Sequence, residues 1–157
     1  MKFQTIISAL FLVAVFGAQP LSAQSLKAQY NVDDSKIALQ GFSPVSYIDL
    51  GIAQQGKKEF KSVYQEVAYY FTDADQKAKF EKNPEKYLPA YGGYCAFGVY
   101  VGAKFRVNPY KFKVIDDKLY LFLYDLEVDA QQLWNDGKDS ERVKKADANW
   151  KELKNKA

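Results

Sequence analysis

From residue 37 onward, short apolar runs alternate with glycine, proline and acidic turns. Two spacings recur among them: the two-residue period of strands and the longer period of helices. Phe60–Tyr64 and Val67–Phe71 flank Gln65-Glu66 and predict a β-hairpin, although that pair lacks the asparagine or glycine a tight turn favours. Phe112–Ile115 and Leu119–Tyr124 predict a second hairpin over Asp116-Asp117-Lys118. The later strand is apolar throughout, so both of its faces should be covered. Shorter runs at Ile37–Leu39 and Val45–Ile48 read as small strands on either side of the turn Gly41-Phe42-Ser43-Pro44, and Gly51 and Gly56 bracket a polar loop.

Helical spacing follows the first hairpin. Thr72 or Asp73 caps a helix that ends near Asn83, with Asp75 or Gln76 three residues on to complete a capping box. Pro84 suits the first position of a second short helix through Leu88, capped by Asn83 and closed by Pro89. The apolar segment Tyr94–Val101, bounded by Gly93 and Gly102, fits a buried strand or a buried helical turn equally well. At the end, 127–136 places Ala130, Leu133 and Trp134 on one face, and 139–154 places Val143, Ala146, Trp150 and Leu153 on one stripe. Glu141 with Lys145, and Asp147 with Lys151, are four apart and predict helix-surface ion pairs. No internal repeat is visible. The elements predict an α+β fold, a small antiparallel sheet of hairpins with helices packed against it.

The first 23 residues change the picture of where this domain works. Lys2, the apolar stretch Ile6–Phe16 and the small residues Leu21-Ser22-Ala23 read as a secretory leader cut before Gln24. That stretch falls short of the roughly 20 apolar residues a membrane span needs. The expectation is one exported domain over 24–157, periplasmic or secreted, with no stable membrane anchor after cleavage. Its core lies at about 37–101, and a C-terminal hairpin and helices fill 110–154. A formal net charge of +3 is too balanced for a nucleic-acid binder, and the lysines near the end are interleaved with Glu141, Asp147 and Glu152. All 12 tyrosines follow the leader. They predict a core rich in large aromatics or an aromatic-lined pocket.

The chain holds no histidine and one cysteine, Cys95. Histidine triads, histidine metal sites and Cys-x-x-Cys redox pairs are therefore excluded. Carboxylate neighbours at Asp33-Asp34, Asp73 with Asp75, and Asp116-Asp117 sit where aspartate serves turns and helix starts. Cys95 is left, either buried and inert or the carrier of chemistry, in the run Tyr91-Gly92-Gly93-Tyr94-Cys95-Ala96. Its glycines permit close backbone approach, and its thiolate is a soft ligand that prefers copper(I).

Three stretches together resemble the YHS domain family, in its exported single-domain branch: Gly41-Phe42-Ser43-Pro44-Val45-Ser46-Tyr47; Val67-Ala68-Tyr69-Tyr70-Phe71 continuing through Phe80 to Pro89; and Tyr91 to Ala96. Lys145 to Trp150 is similar to that branch's ending. The resemblance implies a treble-clef-like core. Metal-linked members carry cysteines where this chain has Ser46, Thr72 and Gln76, so their metal site does not transfer. What the branch keeps is the Gly-Gly-Tyr-Cys-Ala cysteine, which some members replace with selenocysteine. The resemblance implies an exported, non-catalytic binding protein linked to metal handling, with Cys95 as the soft donor and copper(I) as the ion. The expected pocket comprises Tyr91, Gly92, Gly93, Tyr94, Cys95, Tyr47 and Tyr70. The alternatives are a thiol-redox protein that meets a partner protein through Cys95, or a structural or interaction module in which Cys95 is inert.

Overall fold

The computed structural model of this protein describes residues 26–156, so the predicted leader lies outside the described residues. The fold is α+β. Strand β1 (Lys57–Tyr64) pairs antiparallel with β2 (Val67–Phe71), and β3 (Asn108–Ile115) pairs antiparallel with β4 (Lys118–Phe122). The hairpins form two separate two-stranded sheets. Helices α1 (Ala74–Lys82) and α2 (Pro84–Tyr87) follow the first hairpin, α3 (Ala96–Val101) precedes the second, and α4 (Ala130–Asn135) and α5 (Asp139–Leu153) complete the chain.

The second half repeats the first, contrary to the sequence expectation of no repeat. In each hairpin the outer pair (Lys57 with Phe71, Asn108 with Phe122) is followed by a bulge, and regular pairing resumes at Lys61 with Tyr70 and at Phe112 with Leu121. Each hairpin closes through two left-handed residues, Gln65-Glu66 and Asp116-Asp117. Lys118 therefore belongs to the strand and not to the turn. Each hairpin is preceded by a short helical segment that ends on a left-handed glycine, Gly51 or Gly102. Before that segment comes a left-handed turn, Ala38–Gly41 in one half and Ala90–Gly93 in the other. The hydrogen bonds recur too. Phe42 N–H donates to Leu39 O as Tyr94 N–H does to Tyr91 O, and Ser43 N–H donates to Gln54 O as Cys95 N–H does to Phe105 O. Ser43 and Cys95 hold equivalent places.

Several predicted elements take a different form. Ile37 makes a single bridge to Ala68, and the residues after it enter the left-handed turn instead of a strand. Val45–Ile48 is no strand: Ser46–Leu50 coils into one wide helical turn, because Val45, Ser46 and Tyr47 are all buried and so cannot alternate between core and solvent. Tyr94–Val101 resolves to helix, with Cys95 at its N-cap. The Asp73 carboxylate caps α1 by accepting Gln76 N–H at 2.9 Å, whereas Asn83 makes no side-chain cap for α2. Helix α4 starts later than predicted, at the Asp129 cap, and leaves Leu133 40% exposed. The predicted pairs on α5 give way to Lys138–Glu141 and Lys156–Glu152.

One aromatic core joins the halves. Phe80 packs against Tyr69 and Phe71 with ring centres 4.9 and 5.0 Å away, and Trp134 packs against Phe122 and Tyr120 at 5.6 and 6.0 Å. Tyr47 crosses between the halves: its hydroxyl donates to Pro109 O at 2.8 Å, and its ring meets Phe112 edge-on. The buried hydroxyl is thus satisfied, as a low-dielectric interior requires.

Candidate functional site

Cys95 is 1% exposed. Its sulfur accepts the Leu123 N–H at 3.2 Å and the Gly98 N–H at 3.4 Å, so it ties the start of α3 to the end of β4. Burial, the largest influence, pushes the thiol pKa up; the backbone amides of Leu123, Gly98 and Phe97 pull the other way without cancelling it. The equivalent residue, Ser43, does the same work by a longer route. Its hydroxyl and the Thr72 N–H both donate to Gln76 Oε1. Thr72 stands where Leu123 stands in the second half. Among the described residues no group of three or more cysteine, aspartate or glutamate side chains comes together around a point. The donors about Sγ are two N–H groups, which face a metal cation with the wrong end of their dipoles. This donor set does not fit a copper centre.

The glycines beside Cys95 do receive a close backbone, and it is the chain's own. Residues 26–31 cross the turn Ala90–Gly93: Asn31 N–H donates to Gly92 O at 2.9 Å, Asn31 Nδ2 donates to Gly93 O at 3.0 Å, and the Tyr94 hydroxyl donates to Lys27 O. Tyr91 and Gly92 both have left-handed backbone, with φ of 54° and 61°. For a residue as bulky as tyrosine that conformation is strained.

The strained turn forms one side of a cleft of about 540 Å³. Four aromatic residues line it: Tyr30 from the crossing segment, Tyr91 from the turn, Tyr120 from β4 and Trp150 from α5. The Tyr91 ring lies 5.8 Å from Tyr120 and 5.9 Å from Trp150, and its hydroxyl donates to Asp147 Oδ1 at 2.9 Å. Asp116, Asp147, Lys118 and Lys154 also line the cleft. None of these four forms an ion pair among the described residues. Burial pushes the Tyr91 and Tyr120 phenols up, Tyr120 to about 12; Asp147 adds to both, and Asp116 and Asp139 add to Tyr120. The lining thus carries two exposed carboxylates and two exposed lysines beside buried phenols.

The residues predicted to share one pocket are divided. Tyr91 and Gly92 line the aromatic cleft, and Gly93 and Tyr70 line a separate polar hollow of about 850 Å³ with Arg106, Asp33 and Asp34. Tyr47 is in the core, and Cys95 lines neither space. Sequence reasoning missed Tyr30, Tyr120, Trp150 and Asp147 as cleft residues. Tyr120 and Trp150 are aromatics that local periodicity assigns to a core, Tyr30 lies in a polar stretch before the first predicted element, and nothing local shows that one edge of the core stays open. No protein-family model, no curated protein and no solved structure matches the chain.

Proposed function

We propose that this chain is an exported, non-catalytic binding module of the YHS type, which seats a small ligand in the cleft beside Tyr91 and uses Cys95 as part of its frame. The observation that carries this reading is the cleft itself: four aromatic residues and four ionic side chains that form no ion pair among the described residues, in a concavity of about 540 Å³, within the usual range for small-molecule sites. The absence of histidine and of a second thiol supports a binding role over a catalytic one. The equivalence of Cys95 with Ser43 supports a framework role for the sulfur. The test is two-dimensional NMR of the mature protein against a set of small organic compounds. Binders should shift the Trp150 indole signal, and Tyr91→Ala should abolish the shifts. Compounds that bind elsewhere, or none that bind, would remove the reading.

A second reading keeps a reactive or copper-binding Cys95. It draws on the two amides at the sulfur, which favour a thiolate over a thiol. Copper(I) titration of the protein and of Cys95→Ser separates the two. The framework reading expects no equivalent of copper that depends on Cys95, and a Cys95-dependent equivalent would establish the other.

A further inference from the structure

Resting on the reading of the cleft as a ligand seat, we propose that its ligand is an organic cation with an apolar body, an alkyl- or arylammonium ion held among the rings of Tyr91, Trp150 and Tyr30 and countered by Asp147 and Asp116. Four features point this way.

Aromatic rings present negative faces, so a wall of them attracts a cation and repels an anion. The Asp147 carboxylate is fixed beside the rings by the Tyr91 hydroxyl, and among the described residues no lysine lies within ion-pair distance of it. The Tyr91 proton is committed to Asp147, so it leaves the phenol oxygen as an acceptor toward the cleft. Asp147 and Asp116 act on the Tyr120 phenol, as does Asp139, which is itself ion-paired with Lys113 at 2.7 Å. All four ionic side chains of the lining, Asp116, Asp147, Lys118 and Lys154, are exposed, and of these only Asp147 is held by a side-chain hydrogen bond among the described residues, to the Tyr91 hydroxyl of the wall. The lysine stems can lie along the apolar wall while their heads remain in water. An anion would find only those mobile heads.

Three probes of similar size test the class: benzyltrimethylammonium, benzyl alcohol and phenylacetate. Each is titrated into the mature protein at millimolar concentration while the Trp150 indole N–H signal is followed by NMR, with Trp150→Phe to assign it. The cation should bind with the highest affinity. Asp147→Asn keeps an acceptor for the Tyr91 hydroxyl and so should leave the fold intact. It should weaken the cation about fivefold, the size of one exposed charge contact. Lys118→Ala and Lys154→Ala should leave cation binding unchanged or tighter. Tighter binding of phenylacetate, lost in Lys154→Ala, would overturn the cation assignment and keep the cleft. Equal binding of benzyl alcohol, or indifference to Asp147→Asn, would do the same. If no probe moves the Trp150 signal, the cleft reading falls as well.

Discussion

A methyl group placed on Gly92 would lie 1.8 Å from the carbonyl oxygen of Gln29, with the backbone at φ +61°. Gly51 has a similar φ of +68° but open space around it. The pair separates strain from collision. Gly51→Ala should cost about 1 kcal/mol, the left-handed penalty alone. Gly92→Ala should cost at least about twice that and free residues 26–31, seen as a loss of amide-exchange protection at Asn31. At Cys95, alanine would leave the Leu123 and Gly98 amides without an acceptor, a loss of about 1–3 kcal/mol in urea denaturation. Serine should cost less, because an oxygen can take the same bonds. Native Cys95 should also react with thiol reagents far more slowly than the denatured chain. The sequence marks Gly92, Gly93 and Cys95 as unusual, since glycine pairs and lone thiols are rare in such company. It is silent on what approaches the glycines, because the contact joins Gln29 to Gly92 across the fold and leaves no local pattern.

Among the elements, the hairpins and α5 were legible because they are long enough to display a period. The turns Ala38–Gly41 and Ser46–Leu50 are four and five residues long, too short to show one, and Tyr47 and Ile48 in the second imitate strand. The recurrence of the halves escaped detection for a related reason. Equivalent positions share few residues, among them Ala38 and Ala90, Gly41 and Gly93, Gly51 and Gly102, and Phe71 and Phe122; the likeness lies in register and backbone. The β1–β2 turn holds Glu66 at φ 66°. Glu66→Gly should therefore raise stability by about 0.5–1 kcal/mol, measured by thermal unfolding, and should leave the Tyr30–Gln65 hydrogen bond in place. Asp49 pins the Ser46–Leu50 turn to α1 and α2 through Lys79 at 3.0 Å and Lys86 at 3.1 Å. Desolvation, the largest single influence, raises the Asp49 pKa, but the hydrogen bonds and charges of the two lysines outweigh it and hold it below the ordinary carboxylate value of 3.8. The unfolded chain thus binds this proton more readily than the native one. The stabilisation is full above the ordinary value and is lost as pH falls through the depressed native one. Urea midpoints should drop between pH 5 and pH 2, at pH values of this order, and Asp49→Asn should flatten part of that drop.

For the whole molecule, one hydrophobic core takes residues from both halves, among them Phe80, Tyr69 and Tyr47 from the first and Leu121, Phe122 and Trp134 from the second. Neither hairpin has a core of its own, and an isolated hairpin is marginal in water. Unfolding should therefore be one cooperative transition, with the same midpoint by far-ultraviolet circular dichroism and by tryptophan fluorescence. A midpoint that differs between the two probes would mean that the halves melt apart. Tyr30 and Lys154, near opposite ends of the described chain, both border the cleft. A reporter attached at Tyr30 or Lys154 would therefore sit at the border of the proposed ligand seat and compete with what enters it. The Gly51 turn, with nothing packed against it, is the better place to attach a dye or an anchor.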